Sequence, residues 1–350
     1  MLSLVVGSLL GVGCYSGAGT IDAVDEIESM RDLHNNSIRW NDIRWNDIKW
    51  NGIKWNDIKW NGIKWNDIKW NGIKWNGIRW NGIKWNSSSL DGSSIEVSRK
   101  VGWKWERRSG EQLIGMEVDL TVDVRDENDK PSTAQFVLRV DDIYTDGAWD
   151  DVYYYDISIG LKGSNTWEPL CADGHPAIPL KGYWNETTGD RINDHDVITF
   201  ACTTGVLAHC VQWGYRPWAE AKRCDQWDVD KKWKKDCEKV SLRDYHQACT
   251  RMARADYCGT GEAWTVPGTP IDIYDHLYDQ IESPETDWPV EAEWRTDGAY
   301  CLDDIRQQGW KAEGKYPSCK NGKAKVKSDC GSLKDHRALL VSKYEDDAVD

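Results

Sequence analysis

Cysteine carries the widest chemistry in this chain, since a thiolate can attack a carbonyl, hold a metal, accept an acyl group or couple to a second sulfur. There are eleven cysteines among 350 residues. Ten of them, Cys171, Cys202, Cys210, Cys224, Cys237, Cys249, Cys258, Cys301, Cys319 and Cys330, fall between positions 171 and 330, and Cys14 stands alone. An even, clustered set points to a disulfide framework, which an oxidising compartment allows to persist. Structural zinc is disfavoured because the chain has no C-x-x-C pair, and even Cys202 and Cys210 are spaced too widely for a zinc knuckle. A nucleophilic Cys258 with His246 or Asp256 as its base needs a free sulfur of depressed pKa, and an even set leaves none.

Cys14 has a different context. The apolar run at 4–13 is about half the ~20 residues a membrane-spanning helix requires, and it suits the core of a signal peptide. The stretch Leu9-Leu10-Gly11-Val12-Gly13-Cys14 resembles a bacterial lipobox, with Gly11 where leucine is usual. Cys14 is therefore the expected lipidation site and the acyl chain the expected contact with a membrane. The expected location is the cell envelope, or outside the cell if the chain is secreted.

Carboxylates are the second chemical resource, giving a net charge of -14. Asp141-Asp142, Asp150-Asp151 and Asn193-Asp194-His195-Asp196 gather oxygen ligands, but none has the spacing of a calcium loop, so no metal site is assigned. Paired carboxylates leave an exported hydrolase open as the alternative function, with Asp256 and Asp272 as the nearest suggestion of a pair. There is no G-x-S-x-G, no H-E-x-x-H and no phosphate-cradling loop, so catalytic residues stay unknown and no cofactor is expected. A strongly acidic domain would repel phosphates, which argues against nucleic acid as a partner.

The elements that must position these groups begin with a repeat. Residues 36–85 are ten consecutive copies of N-[S/D/G]-I-[K/R]-W, such as Asn51-Gly52-Ile53-Lys54-Trp55. A period of five spreads tryptophan around a helix at ~100° per residue and flips it between the faces of a flat strand. It becomes consistent when the chain turns a corner in every repeat, and Asn-Gly or Asn-Asp tolerates the φ > 0 of a tight corner. Ile-Lys-Trp then forms a short extended side. The array resembles the pentapeptide-repeat family, which implies a short β-solenoid; the alternative is a mobile tether. Its ten Lys or Arg and four Asp give +6 and leave -20 on the remainder. Tryptophan beside cations suits an anionic envelope component or acidic glycan, or else a soluble spacer.

A Ser-rich link at 86–95 leads to a cysteine-rich globular domain at 96–350, after a segment 1–14 that carries the lipobox-like motif and a linker at 15–35. Period-two alternation at 113–124, 134–144 and 152–159 predicts a β-meander. Helical stretches are expected at 204–213 and 242–254, and a strand at 290–301, followed by a polar tail. The fold class is α+β: a β-rich, disulfide-stapled domain.

Three ordered blocks carry a family resemblance. They are Phe200-Ala201-Cys202 through Arg216-Pro217-Trp218, Arg254-Ala255-Asp256-Tyr257-Cys258-Gly259-Thr260-Gly261 with Gly268-Thr269-Pro270-Ile271-Asp272, and Glu293-Trp294-Arg295 through Tyr300-Cys301-Leu302. The second, with Ala255, Asp256, Tyr257 and Cys258, resembles the signature of the ADYC domain of exported bacterial proteins, over about residues 160–340. That resemblance implies an exported domain and brings no reaction with it. The expected function is an envelope protein presenting a binding domain, with Trp213, Trp218, Trp264 and Trp294 as aromatic contacts.

Overall fold

The computed structural model describes residues 59–60, 63–64, 77–80, 83–85, 87–125, 131–171, 174–185, 187–193, 197–227, 234–266, 269–278, 281, 286–317, 319, 330 and 338–345. Cys14, the linker at 15–35, most of the array and the acid cluster at 194–196 lie outside the described residues.

Within the array the described strands form two antiparallel pairs: β1 (Lys59–Trp60) with β2 (Ile63–Lys64), and β3 (Gly77–Trp80) with β4 (Ile83–Trp85). Trp60 faces Ile63 and Trp80 faces Ile83, and in the sequence an Asn-Gly dipeptide stands between the paired ends in both cases. Asn-Gly is the strongest short-range hairpin signal, because both of its residues accept the φ > 0 of a two-residue loop.

The serine-rich stretch, expected as a link, is instead part of a sheet. β5 (Ser87–Asp91) pairs with β6 (Ser94–Val101), which pairs with β7 (Lys104–Ser109). An edge strand needs backbone hydrogen bonds more than apolar side chains, and the exposed Ser88 and Ser89 supply no alternation for a sequence reading to detect. Ser93 also works as a connector, its hydroxyl accepting from the Tyr153 amide at 2.6 Å.

The expected meander stands where the alternation placed it, as β8 (Glu117–Arg125), β9 (Pro131–Tyr144) and β10 (Tyr154–Leu161). It is extended by β11 (Glu168–Pro169), β12 (Ala177–Lys181) and β15 (Ile198–Cys202); β13 (Tyr183–Trp184) and β14 (Arg191–Ile192) form a separate small hairpin. The main sheet is antiparallel, in the order β15-β12-β10-β9-β8-β3-β4, with β11 on β10. Val118, Phe136, Leu138, Val140, Ile157 and Ile159 share a core with Ile95 and Val97 of β6. Each such side chain contributes roughly 1.5–3 kcal/mol on burial, so this cluster binds the meander and the β5–β7 sheet into one layer pair.

The second half begins with α1 (Val206–Gln212), the ribbon β16 (Glu220–Trp227) and β17 (Lys234–Ser241), and α2 (Leu242–Ala253). Ser241 caps α2 by accepting from the Arg243 amide at 3.2 Å, which satisfies one otherwise orphaned donor of the first turn. A four-stranded antiparallel sheet follows, ordered β18-β21-β19-β20, from β18 (Ile271–Asp275), β19 (Val290–Arg295), β20 (Gly298–Leu302) and β21 (Leu340–Tyr344); α3 (Gln308–Ala312) lies between the last two in sequence. The single strand expected at 290–301 is thus a hairpin, because Asp297-Gly298 turns the chain and Gly298 takes φ 116. The polar tail also hides a strand, β21, whose Leu340, Val341 and Ser342 are buried between β18 and β19.

The ten C-terminal cysteines pair as Cys171–Cys202, Cys210–Cys249, Cys224–Cys237, Cys258–Cys319 and Cys301–Cys330. Cys171–Cys202 joins the chain after β11 to the sheet edge at β15. Cys210–Cys249 ties α1 to α2, with Cα atoms 5.9 Å apart. Cys224 and Cys237 face each other directly on the β16–β17 ribbon.

Burying α1 against α2 also buries two histidines. His246 Nε2 lies 3.0 Å from the Leu207 carbonyl, which can only accept, so the neutral ring donates there. Desolvation, aided by Arg191, pushes the His246 pKa down to about 3, and desolvation with His175 nearby pushes His209 down to about 4. Both rings are neutral when folded and titrate near 6.5 when unfolded, so the unfolded chain binds more protons between those values. Stability is therefore complete above about pH 6.5 and declines as pH falls toward 4, at about 1.4 kcal/mol per unit for each ring. Urea unfolding from pH 7 to 4.5 should show this slope, and His246→Gln should roughly halve it; a flat profile would sink the assignment.

Candidate functional site

The motif block at 254–261 starts where α2 ends. Ala255 adopts φ 49 and is the one non-glycine residue with a left-handed backbone among the described residues. Its amide donates to the Met252 carbonyl at 2.9 Å, and the next amide, of Asp256, donates to the Arg251 carbonyl at 2.9 Å. Those two bonds make a Schellman cap, with alanine at the position glycine usually fills. The strain of a left-handed alanine is on the order of 1–3 kcal/mol and is held by full burial of the residue.

Each following residue of the motif is tied inward. The Asp256 carboxylate accepts from the amides of Thr260 at 2.9 Å and Gly261 at 2.8 Å and from Arg251 Nη1 at 2.5 Å. Arg251 in turn reaches Asp190 at 2.5 Å and the carbonyls of Thr296, at 3.1 Å, and Thr188. Arg254 donates to the Gly261 carbonyl at 2.6 Å; burial lowers its pKa, and Asp256 opposes that shift. Gln247, one turn before Arg251 on the same helix face, bridges the Trp184 indole and the Gly189 carbonyl, each at 2.9 Å. Gly259 fits only as glycine, since a Cβ there would lie 1.9 Å from the Asp297 carbonyl oxygen.

Tyr257 opens a second buried network. Its hydroxyl donates to Glu291 Oε1 at 2.5 Å, while Arg306 grips the same carboxylate through Nε at 2.7 Å and Nη2 at 2.8 Å. Ser342 donates to Glu291 Oε2 at 2.6 Å and accepts from the Trp294 indole at 2.8 Å. Desolvation and the Glu291 charge hold the Tyr257 pKa well above its ordinary value. Burial works to lower the Arg306 pKa, but Glu291 and Tyr257 more than offset it. The Arg306 and Glu291 side chains are both fully buried.

The motif is accordingly a clasp. It turns the chain out of α2, ties it to β19, β20 and β21 through Tyr257, and closes on Cys319 through Cys258. His246 sits inside the α1–α2 packing and is not brought to Cys258, whose sulfur is bonded. Asp272 accepts from the amide and hydroxyl of Thr286, at 2.9 and 2.6 Å, so each member of the suggested carboxylate pair has its own intramolecular set. Among the described residues no group of three His, Cys, Asp or Glu side chains has a metal-holding arrangement. Asp151 pairs with Arg216 and accepts from the Trp218 indole at 2.7 Å, and Asp141 takes Arg139 at 2.5 Å.

Arg251 and Arg254 are both buried, with Arg251 held by Asp190 and Asp256. One expectation is corrected: Trp213 and Trp294 are core residues and offer no contact surface. Trp218 is half-buried on Asp151, and Trp264 packs edge-on against Trp310. Sequence reasoning missed Glu291, Arg306 and Ser342; they lie on elements that meet Tyr257 only after folding, and no spacing signals them.

A β-rich domain built on an antiparallel meander, closed by five disulfides and clasped at a left-handed Ala-Asp-Tyr-Cys corner, is the class of protein defined here. The family model of the ADYC domain matches residues 110–308, more than half of the chain, and the protein belongs to that family. The match starts just before the meander, upstream of the 160 suggested by the motif blocks, and ends at 308 rather than 340. The curated proteins and the solved structures compared with the chain contain no match to it. Among the described residues no helix is long and apolar enough to cross a membrane.

Proposed function

We propose that this protein is exported, is held to the cell envelope by acylation of Cys14, and presents its ADYC domain as a binding module. The observation that carries the reading is the pairing of all ten C-terminal cysteines, which leaves Cys14 as the one thiol outside the framework. Five disulfides persist where the compartment is oxidising, and the lipobox-like sequence before Cys14 supplies a route there. The Trp and Lys/Arg array then sits between anchor and domain, where it suits contact with an anionic envelope component.

The test is metabolic labelling with radioactive palmitate in a bacterium expressing the full chain. Label in the wild type and none in Cys14→Ala is the expected result; an unlabelled wild type removes the anchor. Alkylation of the unreduced, envelope-derived protein should modify none of the ten downstream cysteines, and extensive modification would remove the export argument as well.

A further inference from the structure

The β6–β7 hairpin has two ends of opposite character. At its base Ile95 and Val97 are fully buried in the main core. Just beyond them Arg99 and Arg108 converge on Glu106, with Arg99 Nε at 2.7 Å and Arg108 Nη2 at 2.9 Å from its carboxylate oxygens. Past that ion-paired collar both faces of the ribbon become solvent-exposed: Val101 is 50 % exposed, Trp105 59 % and Trp103 99 %. Val101 pairs with Lys104 and Lys100 with Trp105, so the tip carries apolar and cationic side chains on both faces. Gly102, at φ 60, takes the first of the two turn positions, as a II′ hairpin requires, and a Cβ there would touch nothing within 4 Å.

A tryptophan at full exposure is costly unless something covers it, and single-residue scatter does not describe three apolar side chains on one finger. The finger is convex, with both faces free, which suits insertion into an interface rather than cradling a sugar ring. Its charge is opposite to that of the chain as a whole: Lys100 and Lys104 are exposed and form no ion pair among the described residues, in a protein of net charge -14. Tryptophan flanked by lysine is the side-chain pairing that settles at the headgroup level of an anionic bilayer. The tip sequence Val101-Gly102-Trp103-Lys104-Trp105 also stands in phase with the upstream five-residue period, and the last described array strand, β4, runs beside β6.

We infer that the β6–β7 finger docks the domain on an anionic phospholipid surface, with Trp103 and Trp105 entering the headgroup layer and Lys100 and Lys104 pairing with lipid phosphates. This docking is separate from acylation: it requires no acyl chain and would hold the domain against the membrane face.

The experiment uses the full chain carrying Cys14→Ser, oxidised, with co-sedimentation on vesicles of phosphatidylcholine alone and of phosphatidylcholine mixed with phosphatidylglycerol. The wild-type finger should partition to the mixed vesicles and weakly to the neutral ones. Lys100→Glu/Lys104→Glu should weaken binding to the mixed vesicles about tenfold or more, because each cation near such a surface contributes about 1 kcal/mol. Trp103→Ser/Trp105→Ser should weaken it by about tenfold as well, through lost interfacial burial. Urea midpoints equal to wild type show that both variants fold. Unchanged partition of both folded variants, equal binding of the wild type to the two vesicle types, or retention on an acidic glycan matrix without vesicle binding each overturns the proposal. Palmitate labelling at Cys14 reads out the anchor separately, so failure of the finger and failure of the anchor are distinct results.

Discussion

Arg306→Leu is expected to lower the free energy of unfolding by about 3–5 kcal/mol, the cost of leaving one partner of a fully buried ion pair without the other. Glu291 would keep the Tyr257 and Ser342 hydroxyls, at 2.5 and 2.6 Å, but lose both Arg306 hydrogen bonds and the cation that pairs with it. Two neutral donors do not compensate a carboxylate held away from water, so the folded state bears the cost of an unpaired buried charge. Because small domains are stable by only about 5–15 kcal/mol, this single change removes a large part of the total. Replacing both partners, Glu291→Met with Arg306→Leu, should recover much of that loss, since an apolar pair of similar volume avoids the desolvation cost. Urea unfolding followed by tryptophan fluorescence measures both variants. A single variant that loses less than about 1 kcal/mol would show that the pair contributes little to holding the clasp closed.

What the sequence displayed of this architecture follows from where its signals are local. Alternation in β8, β9 and β10 was legible because Phe136, Leu138 and Val140, and Ile157 and Ile159, stand two apart along their strands and share one core with Val118, which writes a period of two into the residues. The helices around His209 and His246 were legible by the same logic at a different period. β5 was not, because a serine-rich edge strand is recruited by its backbone, and β21 was not, because five residues in a polar tail show too little pattern. The hairpin at Asp297-Gly298 was present as a turn dipeptide inside an otherwise continuous strand signal, and the turn chemistry prevailed.

The same distinction separates the motif from its meaning. Ala255, Asp256, Tyr257 and Cys258 stand out as residues, but the partners that give them meaning come largely from distant segments: Glu291 and Arg306 for Tyr257, Cys319 for Cys258, and Thr188 and Asp190 for Arg251, the cation that holds Asp256. Such partners are chosen by topology, and no spacing along one chain encodes them. The clasp also explains why side chains that look reactive on paper, a thiol, a histidine and an aspartate within a dozen residues or so, are consumed structurally. Any ligand-binding surface must then be sought away from the signature, where the finger at Trp103 is the most exposed apolar feature described.

Removing the link between α1 and α2 should have an effect of comparable size, and it tests whether sulfur or packing holds the second half together. Cys210→Ala/Cys249→Ala opens a loop whose ends are 39 residues apart, for which the chain-entropy relation gives about 4 kcal/mol. Both cysteines are fully buried, so the void left by two sulfurs adds to that loss. Cys224→Ala/Cys237→Ala, with ends 13 residues apart on an already paired ribbon, should cost less, about 3 kcal/mol by the same relation. The order of the two losses is the discriminating quantity, since strain or a structured denatured state could shift both magnitudes together. If the α1–α2 variant unfolds at the wild-type urea concentration, packing of the buried face of α1 against α2 suffices, and the disulfide framework is not what sustains this part of the fold. If it unfolds at a much lower concentration while the ribbon variant stays closer to wild type, the sulfur link between the helices holds that packing in place.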